Sequence, residues 1–150
     1  MAQTMVKNFI HIVFSTKNRE PFINPEIQER LHSYLGGICM SLECHVILVI
    51  GSTDHVHILC NLSKKIELMT LIQKLKANSS KWIKTIDVNC NDFKWQEGYA
   101  AFSVHYNEIA FAKMDIQNQH EHHREMPFKE EYLALLRKHD VDFDERYVWD

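Results

Sequence analysis

The stretch CHVILVIGSTDHVHILCNL, residues 44–62, decides the fold. Its first half, CHVILVIG (44–51), is a nearly unbroken apolar run, the pattern of a central strand. A Gly-Ser-Thr-Asp turn follows, and STDHVHILCNL (52–62) carries a second strand. So short a connection joins antiparallel partners, and the two strands form a hairpin. Side chains alternate along a strand, so His55 and His57 point one way and Val56 the other.

Reading outward, NFIHIVFST (8–16) is rich in β-branched and aromatic residues and reads as a strand. NPEIQERLHSYLGGICMSL (24–42) reads as a helix with Asn24 as cap, Pro25 in the first helical position, and Ile27, Leu31 and Leu35 on one face. Beyond the hairpin, residues 65–84 place Leu68, Leu71, Ile72, Leu75, Ser79 and Trp82 at helical spacing. Residues 91–106 read as a loop entering a fourth strand, AAFSVHY. A helix over 107–125 follows, capped by Asn107 and ended by Pro127, and 128–140 form a last helix. The order β-α-β-β-α-β-α-α predicts an α+β domain, 1–150, with a mostly antiparallel four-stranded sheet and helices on one side. The other side also needs a cover, and a second subunit is one candidate.

Composition sets the class. The 150 residues are 45% hydrophobic and 25% charged, enough for a core and unlike a disordered chain. The N-terminal MAQTMVKNFIHIVF has no signal-peptide or membrane-helix run. Cys39, Cys44, Cys60 and Cys90 form no CxxC, so they read as reduced, buried thiols of a cytoplasmic protein. With a net charge of −3, any nucleic acid would have to meet a local basic patch. Lys74, Lys81 and Lys84 project from the helix over 65–84, and Lys17 and Arg19 follow the first strand.

The His55–Val56–His57 pair is a two-imidazole platform for a divalent cation, with Asp54 placed to orient one ring. A third ligand is sought in KMDIQNQHEHHRE (113–125), where Asp115 and Gln119 share a helical face. His120, His122 and His123 fan apart too widely for a site of their own and read as a solvated helix end.

The segments HIVFSTKNR (11–19), DHVHIL (54–59), WQEGYAAFSV (95–104) and the stretch 117–149 together resemble the small single-tyrosine HUH transposases of compact insertion sequences and their repeat-associated relatives. The resemblance implies a ferredoxin-like sheet and a homodimer that exchanges helices. It implies Mg²⁺ or Mn²⁺ on His55, His57 and Gln119, acting as a Lewis acid on single-stranded DNA. A tyrosine would attack and leave a 5′-phosphotyrosine, and the basic helix would hold a DNA hairpin. His11 matches a recurrent histidine without an assigned role. The nucleophilic tyrosine belongs four residues before Gln119, and that residue is Asp115. Tyr106 lies too early and Tyr132 beyond Pro127. The chain therefore reads as a transposase impaired in cleavage. The alternatives are an inactive hairpin-DNA-binding regulator and a metal-dependent phosphodiester hydrolase.

Overall fold

A computed structural model describes residues 2–122 and 127–150, leaving aside the side chains of Gln119, His120 and His122. The strands are β1 (Phe9–Ser15), β2 (His45–Gly51), β3 (His55–Asn61) and β4 (Ala100–Val104). The helices are α1 (Gln28–Ser41), α2 (Leu68–Ile86), α3 (Ile109–His122) and α4 (Phe128–Lys138). The sheet runs β2-β3-β1-β4 with every neighbouring pair antiparallel, the antiparallel sheet that the element order predicts and the ferredoxin-like arrangement that the resemblance implies.

The hairpin is tight because Gly51 leaves no room for a side chain. A Cβ there would strike the carbonyl of His55, and the Ser52 N–H closes the turn on that same carbonyl at 3.0 Å. This fixes the register of β3, and register decides which face the histidines occupy.

One face of the sheet is an apolar core. Ile10, Ile12 and Phe14 of β1 and Val56, Ile58 and Cys60 of β3 lie under Leu31 and Leu35 of α1 and Leu71 and Leu75 of α2. Burying each large side chain contributes about 1.5–3 kcal/mol. Ser79, buried in the middle of α2, accepts the indole N–H of Trp95 at 2.9 Å, so neither buried polar group lacks a bond. All four cysteines are free and buried, as their spacing suggests.

The opposite face corrects an expectation. Val13, Ala100 and Phe102 pack under Phe128, Tyr132, Leu135 and Leu136, so the cover is the chain's own α4 rather than a second subunit. The amphipathic spacing of α4 already contained this stripe. α3 also lies on this side of the molecule, anchored by buried Ile116, and touches β2.

Two caps differ from the sequence reading. Asn24 accepts the Glu26 N–H in a local turn, and α1 starts only at Gln28, with Ile27 at its cap position. Ahead of α3, Tyr106–Glu108 form a short 3-10 turn whose Asn107 N–H is accepted by the His105 ring at 3.1 Å, so His105 is the cap in place of Asn107. No described helix is long and apolar enough to cross a membrane.

Candidate metal centre and adjoining groove

His55 opens β3 directly after the tight turn, and His57 follows it on the same face; each is 2% exposed. The first turn of α4 brings a third group to them. Glu131, also buried, sets Oε1 3.1 Å from His57 Nε2 and Oε2 3.9 Å from His55 Nε2. Ligand atoms of the three side chains lie within 4.8 Å of one another.

The back of each ring is also held. His55 Nδ1 lies 2.7 Å from Asp54 Oδ1 and 3.1 Å from the Ser52 hydroxyl. Burial opposes the Asp54 charge, yet the bonds from His55 and Ser52 hold its carboxyl below the usual range. His57 Nδ1 lies 2.9 Å from His11 Nε2, with the two rings stacked at 5.2 Å. Phe128 lies flat on His55 at 4.2 Å. Both imidazoles are thus anchored through Nδ1 and present Nε2 to the Glu131 carboxylate, the orientation that ligating histidines need.

His11 faces two ways. It bonds His57 and also lines a groove of about 430 Å³ with Phe102, Glu108, Asp115, Leu135 and Lys138. Burial first, and then the neighbouring His57, His139 and Lys138, push its pKa well below the usual histidine value. On the groove's far wall Asp115 Oδ2 meets Lys138 Nζ at 3.4 Å, a pair joining α3 to α4. Asp115 therefore shares the groove with His11, which in turn bonds His57. Gln119 lies one helical turn further along α3, but its side chain, like those of His120 and His122, is outside the described residues. His123 lies outside them entirely.

Neither alternative tyrosine sits in the groove. Tyr132 is part of the second core, between Phe128 and Trp149, and burial pushes its phenol up to about 12. Tyr106 is exposed and lies under the Lys7 ammonium at 3.8 Å.

The sequence-predicted basic residues divide. Lys74, Lys81 and Lys84 are exposed on the outer side of α2. Lys17 joins that helix's flank, lining a shallow cleft with Lys76, Ser80 and Lys94. Arg19 does not line this cleft; its guanidinium covers the Trp149 ring at 4.9 Å. Lys76 turns inward and donates to the carbonyls of Gln96, Glu97 and Gly98 at 2.6–3.1 Å, pinning the loop ahead of β4.

Glu131 and His11 were both missed as site residues. For Glu131 the signal was present: it lies three residues after Phe128 and four before Leu135, an acid on the buried stripe of an amphipathic helix.

The sequence matches the family described as "Transposase IS200 like" over residues 4–119. The fold resembles the crystal structure of a protein from Deinococcus radiodurans R1 described as a transposase. That match has a TM-score of 0.61 and 18% identity, over 79% of this chain and 96% of that one. It also resembles a REP-associated tyrosine transposase solved with a REP hairpin, with a TM-score of 0.52 and 9% identity, over 70% of this chain and 61% of that one. Among curated proteins none matches significantly. With the order of elements, the paired histidines and the matched span in agreement, the chain belongs to the IS200-like transposase family.

Proposed function

We propose that this chain, a single domain over 1–150, binds single-stranded DNA folded into a hairpin and is impaired in the strand cleavage of its family. The observation that carries this reading is Asp115. It lies four residues before Gln119, where the resemblance expects the tyrosine, on the helix that lines the groove, and it is paired with Lys138. A carboxylate attacking phosphorus would form an acyl phosphate open to hydrolysis, a poor store for a strand end. His55 and His57 would hold Mg²⁺ or Mn²⁺, with Gln119 as the ligand the family pattern names. When bound, the ion supplies Lewis acidity at the scissile phosphate. Lys74, Lys81, Lys84 and Lys17 form the surface that would track the DNA backbone, and Arg19 contributes at its edge.

A helix-exchanged homodimer fits the exposed apolar side chains Phe111 and Met114 on α3, which are 71% and 61% exposed. The cytoplasm, where DNA and reduced thiols coexist, is the proposed location.

The test is incubation with a labelled single-stranded hairpin and Mn²⁺. The unaltered chain is expected to bind with affinity that falls steeply with salt and to form no covalent adduct. Asp115→Tyr is expected to gain the adduct. An adduct with the unaltered chain would refute the impairment. Binding by both proteins with no adduct from Asp115→Tyr would favour the second reading, a hairpin-binding regulator, which the same basic surface supports.

A further inference from the structure

The family pattern closes the histidine pair with the glutamine of α3. The described residues close it with a carboxylate from a different helix of the same chain. We propose that Glu131 is a ligand of the bound ion, and that the resulting face of two imidazoles and one carboxylate takes a transition dication such as Mn²⁺ in preference to Mg²⁺. This rests on the reading that His55 and His57 bind a dication.

Three observations carry it. First, the geometry is near that of a bound ion. Ligand atoms about 2.1 Å from a metal stand about 3 Å apart along a coordination edge. His57 Nε2 and Glu131 Oε1 already stand 3.1 Å apart, and His55 Nε2 lies 3.9 Å from the other oxygen. Second, the forward orientation is built in. The Nδ1 atoms are held by Asp54, Ser52 and His11, so a metal-ready Nε2 on each ring needs no rearrangement behind it. Third, Glu131 is 3% exposed on the packed side of α4, where a carboxylate is costly unless a cation or protonated imidazole faces it. A dication binding there neutralises the carboxylate.

The metal class follows from the donors. Mg²⁺ favours oxygen ligands in an octahedron and keeps most of its water, whereas imidazole nitrogen selects first-row transition ions. Two nitrogens and one carboxylate, with the remaining positions open, form a facial set of the kind that holds such ions while leaving room for a phosphate oxygen.

The experiment is titration of the full chain with Mn²⁺, reading the free-ion electron paramagnetic signal, with Mg²⁺ as competitor. The expected result is one Mn²⁺ per chain, with Mg²⁺ displacing it only at a concentration at least about tenfold higher. Glu131→Gln is expected to weaken Mn²⁺ by at least about tenfold, the scale on which groups around a metal act. Its melting temperature in EDTA should hold or rise, because a buried charge is gone. If Glu131→Gln does not fold, Glu131→Asp replaces it and is expected to weaken Mn²⁺ because its carboxylate is one methylene shorter. Unchanged Mn²⁺ affinity in the folded variant overturns the proposal. So does loss of binding in Gln119→Ala with retention in Glu131→Gln, and equal affinity for Mg²⁺ and Mn²⁺ overturns the metal preference. Absence of any Mn²⁺ binding by the unaltered chain refutes the underlying dication reading instead.

Discussion

The strand β3 serves two opposite purposes on its two faces. Val56, Ile58 and Cys60 point into the apolar core beneath α1 and α2, while His55 and His57 point into a polar pocket beneath α4. Both sets are buried almost completely, so burial does not separate them. The difference lies in what surrounds each. The first face is filled by interchangeable hydrocarbon contacts, whereas the second is a chain of directed bonds from His11 through His57 to Glu131 and from Asp54 to His55. Apolar packing and directed polar bonds are thus carried by alternate residues of one strand.

The comparison is broken most strongly on the apolar side. Phe14→Ala should cost about 3–5 kcal/mol in urea unfolding and Ile58→Ala about 2–5 kcal/mol, through lost burial and the cavity left behind. His57→Ala, one residue from Ile58, is expected to cost less than Ile58→Ala while abolishing the rise in melting temperature on adding Mn²⁺. Equal stability losses with the Mn²⁺ response intact in His57→Ala would show that the two faces are not specialised.

A smaller loss tests what keeps the faces apart. Gly51→Ala should cost about 1–3 kcal/mol, because the added methyl must push against the His55 backbone. Since His55 follows that turn directly, Mn²⁺ affinity should fall with stability. A variant that loses stability but binds Mn²⁺ normally would show the turn to be a packing feature only.

Much of this was legible in the sequence, and the reason is periodicity. The period of two in HVHIL put the histidines on one face, and the 3.6 period of 68–82 gave the inner stripe of α2, including Ser79. What escaped depends on how separate elements meet. The spacing of FKEEYLALL puts Glu131 on the buried stripe, but nothing local says that its first turn will sit over β3. Nothing in the spacing of α2 separates Lys76 from its exposed neighbour Lys74, yet three carbonyls of the 96–98 loop converge on the Lys76 ammonium. Arg19, grouped with Lys17 by proximity in sequence, diverges from it because Asn18 and Arg19 both adopt positive φ.

Two finer effects sharpen the contrast. The pair between Lys138 and Asp115 is partly solvent-exposed, so Lys138→Ala should change stability by less than about 1 kcal/mol. A larger loss would make the groove wall a structural element comparable to the core. On the apolar side, burial and then the nearby Asp87 push the Cys90 thiol up to about 11 from 9.0. The unfolded chain loses this proton first, so the stability it contributes is complete below pH 9 and declines as pH rises toward 11. The alkaline decline in urea midpoint should therefore be shallower in Cys90→Ala, and an identical slope would show that the folded thiol ionises freely.

The contact between His57 and Glu131 also sets an order in time. Seventy-four positions (131 − 57) separate the two residues along the chain. At a synthesis rate of about 5–20 residues per second, the carboxylate is made roughly 4–15 s after the imidazole it will face. During that interval the helix that will cover the two histidines has yet to be made. A chain truncated before α4 would keep the residues that build its main core and lose the closure of its polar pocket.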